Sequence, residues 1–230
     1  ISACLVGSEM CIRDRLQSHI DYWPDDVKIT AYYEGTKPNL QHEKIEYINT
    51  EQVNPDLTAF KKRHKNDPVA NGELQEIDGG VRRNPNAGAN DKGKGSYLWD
   101  AVRFANKVYA VLDACEKSKD WCVWIDADTF VHSPWSKDEF EKLLPNESWL
   151  TFVGRGRGSQ TWPECGFYGM NLKDEKCLEF LKEFERMYEE AENGIFTLGE
   201  WHDSYVFGKI LNRMRFEKPS VFDYLSLIHI

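Results

Sequence analysis

Asp126-Ala127-Asp128 sets two carboxylates one residue apart, directly after the apolar run Trp121-Cys122-Val123-Trp124-Ile125. Hard oxygen donors in that pattern can hold Mg²⁺ or Mn²⁺ while leaving coordination positions open for a substrate's phosphates. An Asp-rich turn is the simpler account, since Asp is favoured in turns. A second group, Glu200-Trp201-His202-Asp203, stands ahead of an apolar helical pattern at Val206, Phe207, Ile210 and Leu211. His202 can ligate a metal, orient a ligand or cap backbone. Asp203 can cap the helix start, accept a hydroxyl or act as a base.

The elements around these residues follow from periodicity. An apolar run this short, aromatic and β-branched, reads as a buried strand, which puts Asp126 and Asp128 at the rim of a sheet. In open α/β sheets that rim, at the carboxyl ends of the strands, is where ligands bind. Ahead of it, Leu98, Val102, Ala105, Tyr109 and Leu112 recur at helical spacing and predict a helix over 97–116, with Ser96 as N-cap. Arg103 and Lys107 lie one turn apart on that helix, within reach of an anionic ligand at the strand end. A solvated helix face is the simpler account of Lys107, less so of Arg103, which follows Trp99 and Asp100 at helical spacing. Further strands are expected at 27–33, 44–48, 149–153 and 164–171. Helices are expected at 55–64, 136–144 and 174–191 and after Glu200. Between them, 66–95 is rich in Gly, Asn, Asp and Pro, with local positive charge from Arg82, Arg83, Lys92 and Lys94. Helix and strand patterns alternate without repeats or a linker, so one α/β domain is expected.

Composition narrows the partners. The chain has 230 residues, 41% of them hydrophobic, enough for one domain with a proper core. A formal net charge of −9 argues against a nucleic-acid partner but leaves room for a local anion site built around a metal, Arg or Lys. No stretch approaches the length of a transmembrane helix. Cys115, Cys122, Cys165 and Cys177 show neither a CxxC pair nor zinc spacing, and read as buried free thiols of a reducing compartment, hence a cytoplasmic setting.

The two ends read differently from the rest. GAG ATG TGT ATA AGA GAC AGG encodes Glu9 to Arg15, and it contains the reverse complement of CTG TCT CTT ATA CAC ATC, which encodes Leu225 to Ile230. Two ends that back-translate to opposite strands of one DNA segment are hard to explain by selection on protein. Both resemble translated transposon-adapter sequence. Residues 1–15 and 225–230 are therefore expected to be foreign, leaving 16–224 as the domain.

With its preceding helix and strand, WCVWIDADTF resembles the metal-binding DXD motif of GT-A glycosyltransferases, the nucleotide-diphospho-sugar transferases. ECGFYGMN (164–171) looks like the acceptor-side strand of that superfamily. Glu200-Trp201-His202-Asp203 looks like the WHDE stretch of family 6 retaining galactosyl- and N-acetylgalactosaminyltransferases, with a Lys-Pro (Lys218-Pro219) after the next helix. Ser204 departs from that pattern, where the family has Glu. Three motifs agree in order and spacing over about 97–219.

The resemblance implies a single GT-A, Rossmann-like domain with a mixed central sheet flanked by helices. It also implies a metal-dependent hexosyltransferase moving a sugar from a nucleotide-diphospho-sugar to a glycan or lipid-linked acceptor. Mn²⁺ or Mg²⁺ would sit on Asp126, Asp128 and His202. Asp126, Asp128 and Arg103 would bind the donor, Glu164, Trp201 and His202 the acceptor, and Asp203 would be catalytic. Core packing is the simpler account of Trp201. The first, nucleobase-contacting strand would fall where the adapter-like residues stand, so it is expected to be missing and donor binding impaired. Two other functions remain open. One is a non-catalytic GT-A-like carbohydrate-binding protein. The other is a haloacid-dehalogenase-like phosphatase, whose motif wants Thr where this chain has Phe130.

Overall fold

A computed structural model describes residues 2–5, 9–68, 70–72, 75–77, 80–82, 97–154, 162–217 and 221–223. In chain order the elements are β1 (Ser2–Leu5), α1 (Glu9–Tyr22), β2 (Ile29–Tyr33), β3 (Ile45–Asn49), α2 (Thr50–Val53), α3 (Pro55–His64), β4 (Gln75–Ile77), β5 (Gly80–Arg82), α4 (Ala101–Lys117), β6 (Trp121–Asp126), α5 (Lys137–Lys142), β7 (Leu150–Val153), β8 (Glu164–Asn171), α6 (Glu175–Glu189), α7 (Asp203–Glu217) and β9 (Val221–Asp223). Seven strands form one sheet in the order β3-β2-β1-β6-β8-β7-β9, and β4 pairs with β5 as a separate hairpin. The half from β3 to β6 is parallel, β8 runs antiparallel to both β6 and β7, and β9 lies parallel to β7. The molecule is thus a mixed α/β protein.

The centre of the sheet differs from expectation. Ser2–Leu5 occupies it, with Ala3 opposite Ala31 on one side and Ile125 on the other. The strand expected to be missing is therefore filled by the segment read as adapter-encoded, and α1 runs through the boundary drawn at residue 15. The reason is local. β2 and β6 each present an edge of backbone N–H and C=O groups, and the short apolar stretch Ala3-Cys4-Leu5 satisfies both at once.

Alternation along the strands divides the core into two layers. Tyr32, Cys122, Trp124, Tyr168 and Met170 face a large cluster with Phe60 of α3, Val108 and Tyr109 of α4, Phe180 and Phe184 of α6, and Phe207 of α7. Ile29, Ala31, Val123 and Ile125 face the other way, against Leu16, Trp23 and Phe140. So four helices cover one face, and α1 and α5 the other.

Local signals place the helix starts. Asn54 caps α3 through the Leu57 N–H, with Pro55 at its first position. Ser136 and Glu139 close a capping box on α5. On α4 the cap is Asp100, accepting from the Arg103 N–H, so the helix begins several residues after the expected Ser96, which lies outside the described residues. A 3-10 turn, Tyr97–Trp99, precedes it. Arg83, Lys92 and Lys94 also lie outside the described residues.

Candidate active site

The Asp126-Ala127-Asp128 stretch is both a turn and a sheet rim. The Thr129 N–H donates to the Asp126 carbonyl at 2.9 Å, closing a β-turn as soon as β6 ends. Asp126 is the last strand residue and shares a face with Trp124. Its Oδ1 accepts from Trp124 Nε1 at 2.7 Å. Asp128 sits on the turn and is exposed.

Lys107 is the centre of the site, contrary to its expected place on a solvated helix face. Its Nζ lies 2.6 Å from Asp126 Oδ1 and 2.7 Å from Asp203 Oδ2, and it donates to the Cys165 carbonyl at 2.6 Å. The ammonium also sits 5.5 Å from the Trp124 ring centroid and 6.0 Å from that of Tyr168, over two roughly parallel rings. Its side chain is only 12% exposed. One ammonium thus ties α4 to the end of β6, the start of β8 and the start of α7.

Burial works against a charge on Lys107, but the Asp203 and Asp126 carboxylates outweigh it and raise the ammonium's pKa. Burial pushes the Asp126 carboxyl up, assisted by the nearby Asp203 charge, while Lys107 and the Trp124 N–H pull it down. Lys107 therefore remains a cation.

A cavity of ≈ 170 Å³ opens over this cluster. Arg103, Phe104, Asn106 and Lys107 of α4 line one side, and Asp126, Ala127, Asp128 and Asp203 the other. Arg103 is exposed at the rim. Asn106, absent from the sequence reading, is 8% exposed. Its Nδ2 donates to the Arg103 carbonyl, and its buried Oδ1 meets no hydrogen-bond partner. Orphaned buried acceptors are uncommon enough to call for an explanation. A polar residue one position before a helical Lys carries no distinctive signal in sequence.

The structure separates the remaining expected residues from this cavity to different degrees. Glu164 is exposed at the first position of β8 and faces Asp126 across Gly166. A Cβ built on that glycine would stand 3.6 Å from Glu164 Oε1 and 3.9 Å from Asp126 Oδ2. Trp201 lies in the core at 3% exposure, packed on Phe196, with its Nε1 donating to the Leu198 carbonyl. That is the packing alternative rather than a sugar-stacking platform. His202 accepts the Tyr205 N–H at Nδ1, so Nε2 carries the proton and donates to Glu200 at 2.8 Å. In this arrangement neither ring nitrogen offers a lone pair to a metal. Ser204, where the resembled family has Glu, donates its hydroxyl to the Pro163 carbonyl at 2.5 Å.

The carboxylates suit a divalent cation of one particular kind. Asp128 is open, and Asp126 Oδ2 lies outside the Lys107 contact, so two hard oxygen donors are available at the rim. That matches a cation held by one or two carboxylates and completed by water and phosphate oxygens. Among the described residues no group of three or more His, Cys, Asp or Glu could hold a metal on protein ligands alone. Cys115, Cys122, Cys165 and Cys177 are buried and form no disulfide. No helix among the described residues is long and apolar enough to cross a membrane.

No protein-family model matches this sequence, and no curated protein matches it.

Proposed function

We propose that this protein is a metal-dependent glycosyltransferase of the GT-A type, transferring a sugar from a nucleotide-diphospho-sugar to a hydroxyl acceptor. The observation that carries the reading is the meeting of Asp126, Asp128, Asp203, Lys107 and Arg103 around one cavity at the carboxyl end of β6. Ligands of open α/β sheets bind at such strand ends. A mixed sheet flanked by helices supports the same reading.

Asp126 and Asp128 would hold Mn²⁺ or Mg²⁺. When bound, the cation neutralises the charge that builds on a leaving diphosphate. The chain's own residues have distinct parts. Arg103 at the rim offers guanidinium donors to the donor's phosphates. Asp203, fixed by Lys107, offers its remaining oxygen to a sugar hydroxyl. As an ion-paired carboxylate it suits hydrogen-bond acceptance better than proton abstraction. Glu164, exposed across Gly166 from Asp126, is the acceptor-side carboxylate. The Ser204 hydroxyl is engaged with Pro163, which argues against a nucleophile at that position. Buried free thiols are in keeping with a cytoplasmic setting.

The test is a screen of nucleoside-diphospho-sugars for hydrolysis and transfer with Mn²⁺. The expected result is turnover of at least one donor, lost on chelation and lost in Asp128→Ala. Sugar binding indifferent to Mn²⁺, with no turnover of any donor, overturns the reading and leaves a carbohydrate-binding protein. Hydrolysis of simple phosphomonoesters in place of nucleotide-sugars assigns a phosphatase.

A further inference from the structure

Lys107 holds the position beside Asp126 that gives it a second consequence, which rests on the metal-dependent reading above. We propose that Lys107 is a resident counter-cation: it balances the Asp126 and Asp203 carboxylates before a ligand binds, disfavours a divalent cation on its own, and thereby makes metal and diphosphate enter together.

The geometry carries this. The ammonium contacts Asp126 Oδ1 and Asp203 Oδ2 at 2.6 and 2.7 Å, and a backbone carbonyl and two ring faces complete its surroundings. Three independent anchors on β6, β8 and α7 hold it, so it does not swing away as a surface lysine does. A cation on Asp126 and Asp128 therefore meets a fixed positive charge bound to the same Asp126 side chain. Like charges at such range in a partly buried site repel strongly. Asp126 has also spent one oxygen on Lys107 and Trp124, leaving the metal a poorer ligand set than the DAD spelling promises. A diphosphate removes both obstacles, since it supplies oxygen ligands and negative charge between the two cations. Arg103, exposed on the same helix one turn away, adds a phosphate contact without touching the carboxylates.

Lys107 is thus a positioning residue, acting through Asp126 and Asp203. The test measures Mn²⁺ binding from the free-ion electron paramagnetic resonance signal, with and without inorganic pyrophosphate, in the wild type, Lys107→Met and Lys107→Arg. In the wild type, pyrophosphate should tighten Mn²⁺ binding at least tenfold beyond complexation in solution. In Lys107→Met, Mn²⁺ alone should bind at least tenfold more tightly than to the wild type, and the pyrophosphate effect should shrink. Lys107→Arg, which keeps the charge, should resemble the wild type. A role confined to holding the fold would not tighten metal binding. Should Lys107→Met fail to fold, the wild-type pyrophosphate effect decides alone. Wild-type Mn²⁺ binding that is equally tight without pyrophosphate overturns the proposal and leaves the transferase reading standing. Absence of Mn²⁺ binding in every case, pyrophosphate included, overturns both.

Discussion

The Ser204 hydroxyl donates to the Pro163 carbonyl at 2.5 Å, which fastens the first turn of α7 to the strap that enters β8. Just beyond, Trp162 lies on α7 so closely that a Cβ on Gly208 would sit 2.5 Å from its Cε3. Lys209 and Tyr205 complete the contact around the same indole. Asp203 begins this helix, so the strap also sets where its carboxylate meets Lys107.

Gly208→Ala should therefore lift Trp162 off the helix, costing about 1–3 kcal/mol as overpacking does. The carboxylate cluster should feel it too, so ligand binding should weaken even after correction for the unfolded fraction. Thermal denaturation together with Mn²⁺-pyrophosphate titration checks both effects. An unchanged melting temperature would show that the indole has room to move.

Asp128→Ala and Asp126→Ala should part company. Asp128 is exposed on the turn, so its loss should leave stability within about 0.5 kcal/mol while reducing Mn²⁺-dependent diphosphate binding at least tenfold. Asp126 is held by Lys107 and Trp124 Nε1, so its loss leaves the indole N–H without its acceptor and the buried ammonium with only Asp203 and the Cys165 carbonyl. Leaving a buried donor unsatisfied costs about 1–3 kcal/mol. Urea denaturation of the two variants side by side measures the contrast.

Asn106→Leu should not weaken the fold. The carboxamide oxygen is buried without a partner, and its nitrogen makes only a 3.3 Å contact to the Arg103 carbonyl, so an isosteric apolar group is close to neutral, within about 1 kcal/mol. Binding is where the change should appear. A ligand hydroxyl that satisfies the Asn106 oxygen would lose about tenfold in affinity, which calorimetry reads directly. A sharp fall in stability with unchanged binding would assign the oxygen to the fold instead.

Acid should weaken the protein through two imidazoles. Burial holds His19 below its ordinary 6.5, and His64 is likewise held below that value by burial and by the Arg63 charge. His64 Nε2 also accepts from Arg63 Nε, which requires the neutral ring. Because both pKa values are depressed in the folded state, the unfolded chain takes up protons first as the pH falls. Their stabilisation is complete above about 6.5 and is lost as the pH drops toward the folded values. Denaturation midpoints should therefore decline below neutral pH, and His19→Phe, which keeps a ring against Trp23, should flatten part of that slope. A slope that His19→Phe leaves untouched would remove His19 from the account.

Sequence periodicity placed most elements within a few residues, including the strand that presents Asp126 and the helix that opens at Asp203. It misread Lys107 for a definable reason. The apolar face drawn through Leu98, Val102, Ala105, Tyr109 and Leu112 is only part of what α4 buries, since Val108, Ala110, Val111, Ala114 and Cys115 are buried as well. A helix packed between α3, α6, α7 and the sheet has little solvated face, so a lysine on it must find anions. Those anions come from residues 19 and 96 positions away, a pairing that spacing alone does not reveal. Trp201 failed as a sugar platform for a related reason. A Trp ahead of a helix looks the same in sequence whether it faces a cleft or the core. The coding pattern around Ser2–Leu5 marks it as foreign, and a four-residue run does not show in sequence that β2 and β6 both pair with it.

The span after Asp128 is moored twice to the far layer of the molecule. The Val131 N–H donates to Ser18 Oγ, and the Trp135 N–H to the Tyr22 carbonyl. Asp128 therefore hangs from a short cord pinned at one end to β6 and at the other to α1, a helix with no described side chain in the cavity. Its reach is set from behind the sheet. A change at Ser18, deep under the opposite face, would slacken that cord and let the outer carboxylate drift while every residue lining the cavity stayed the same.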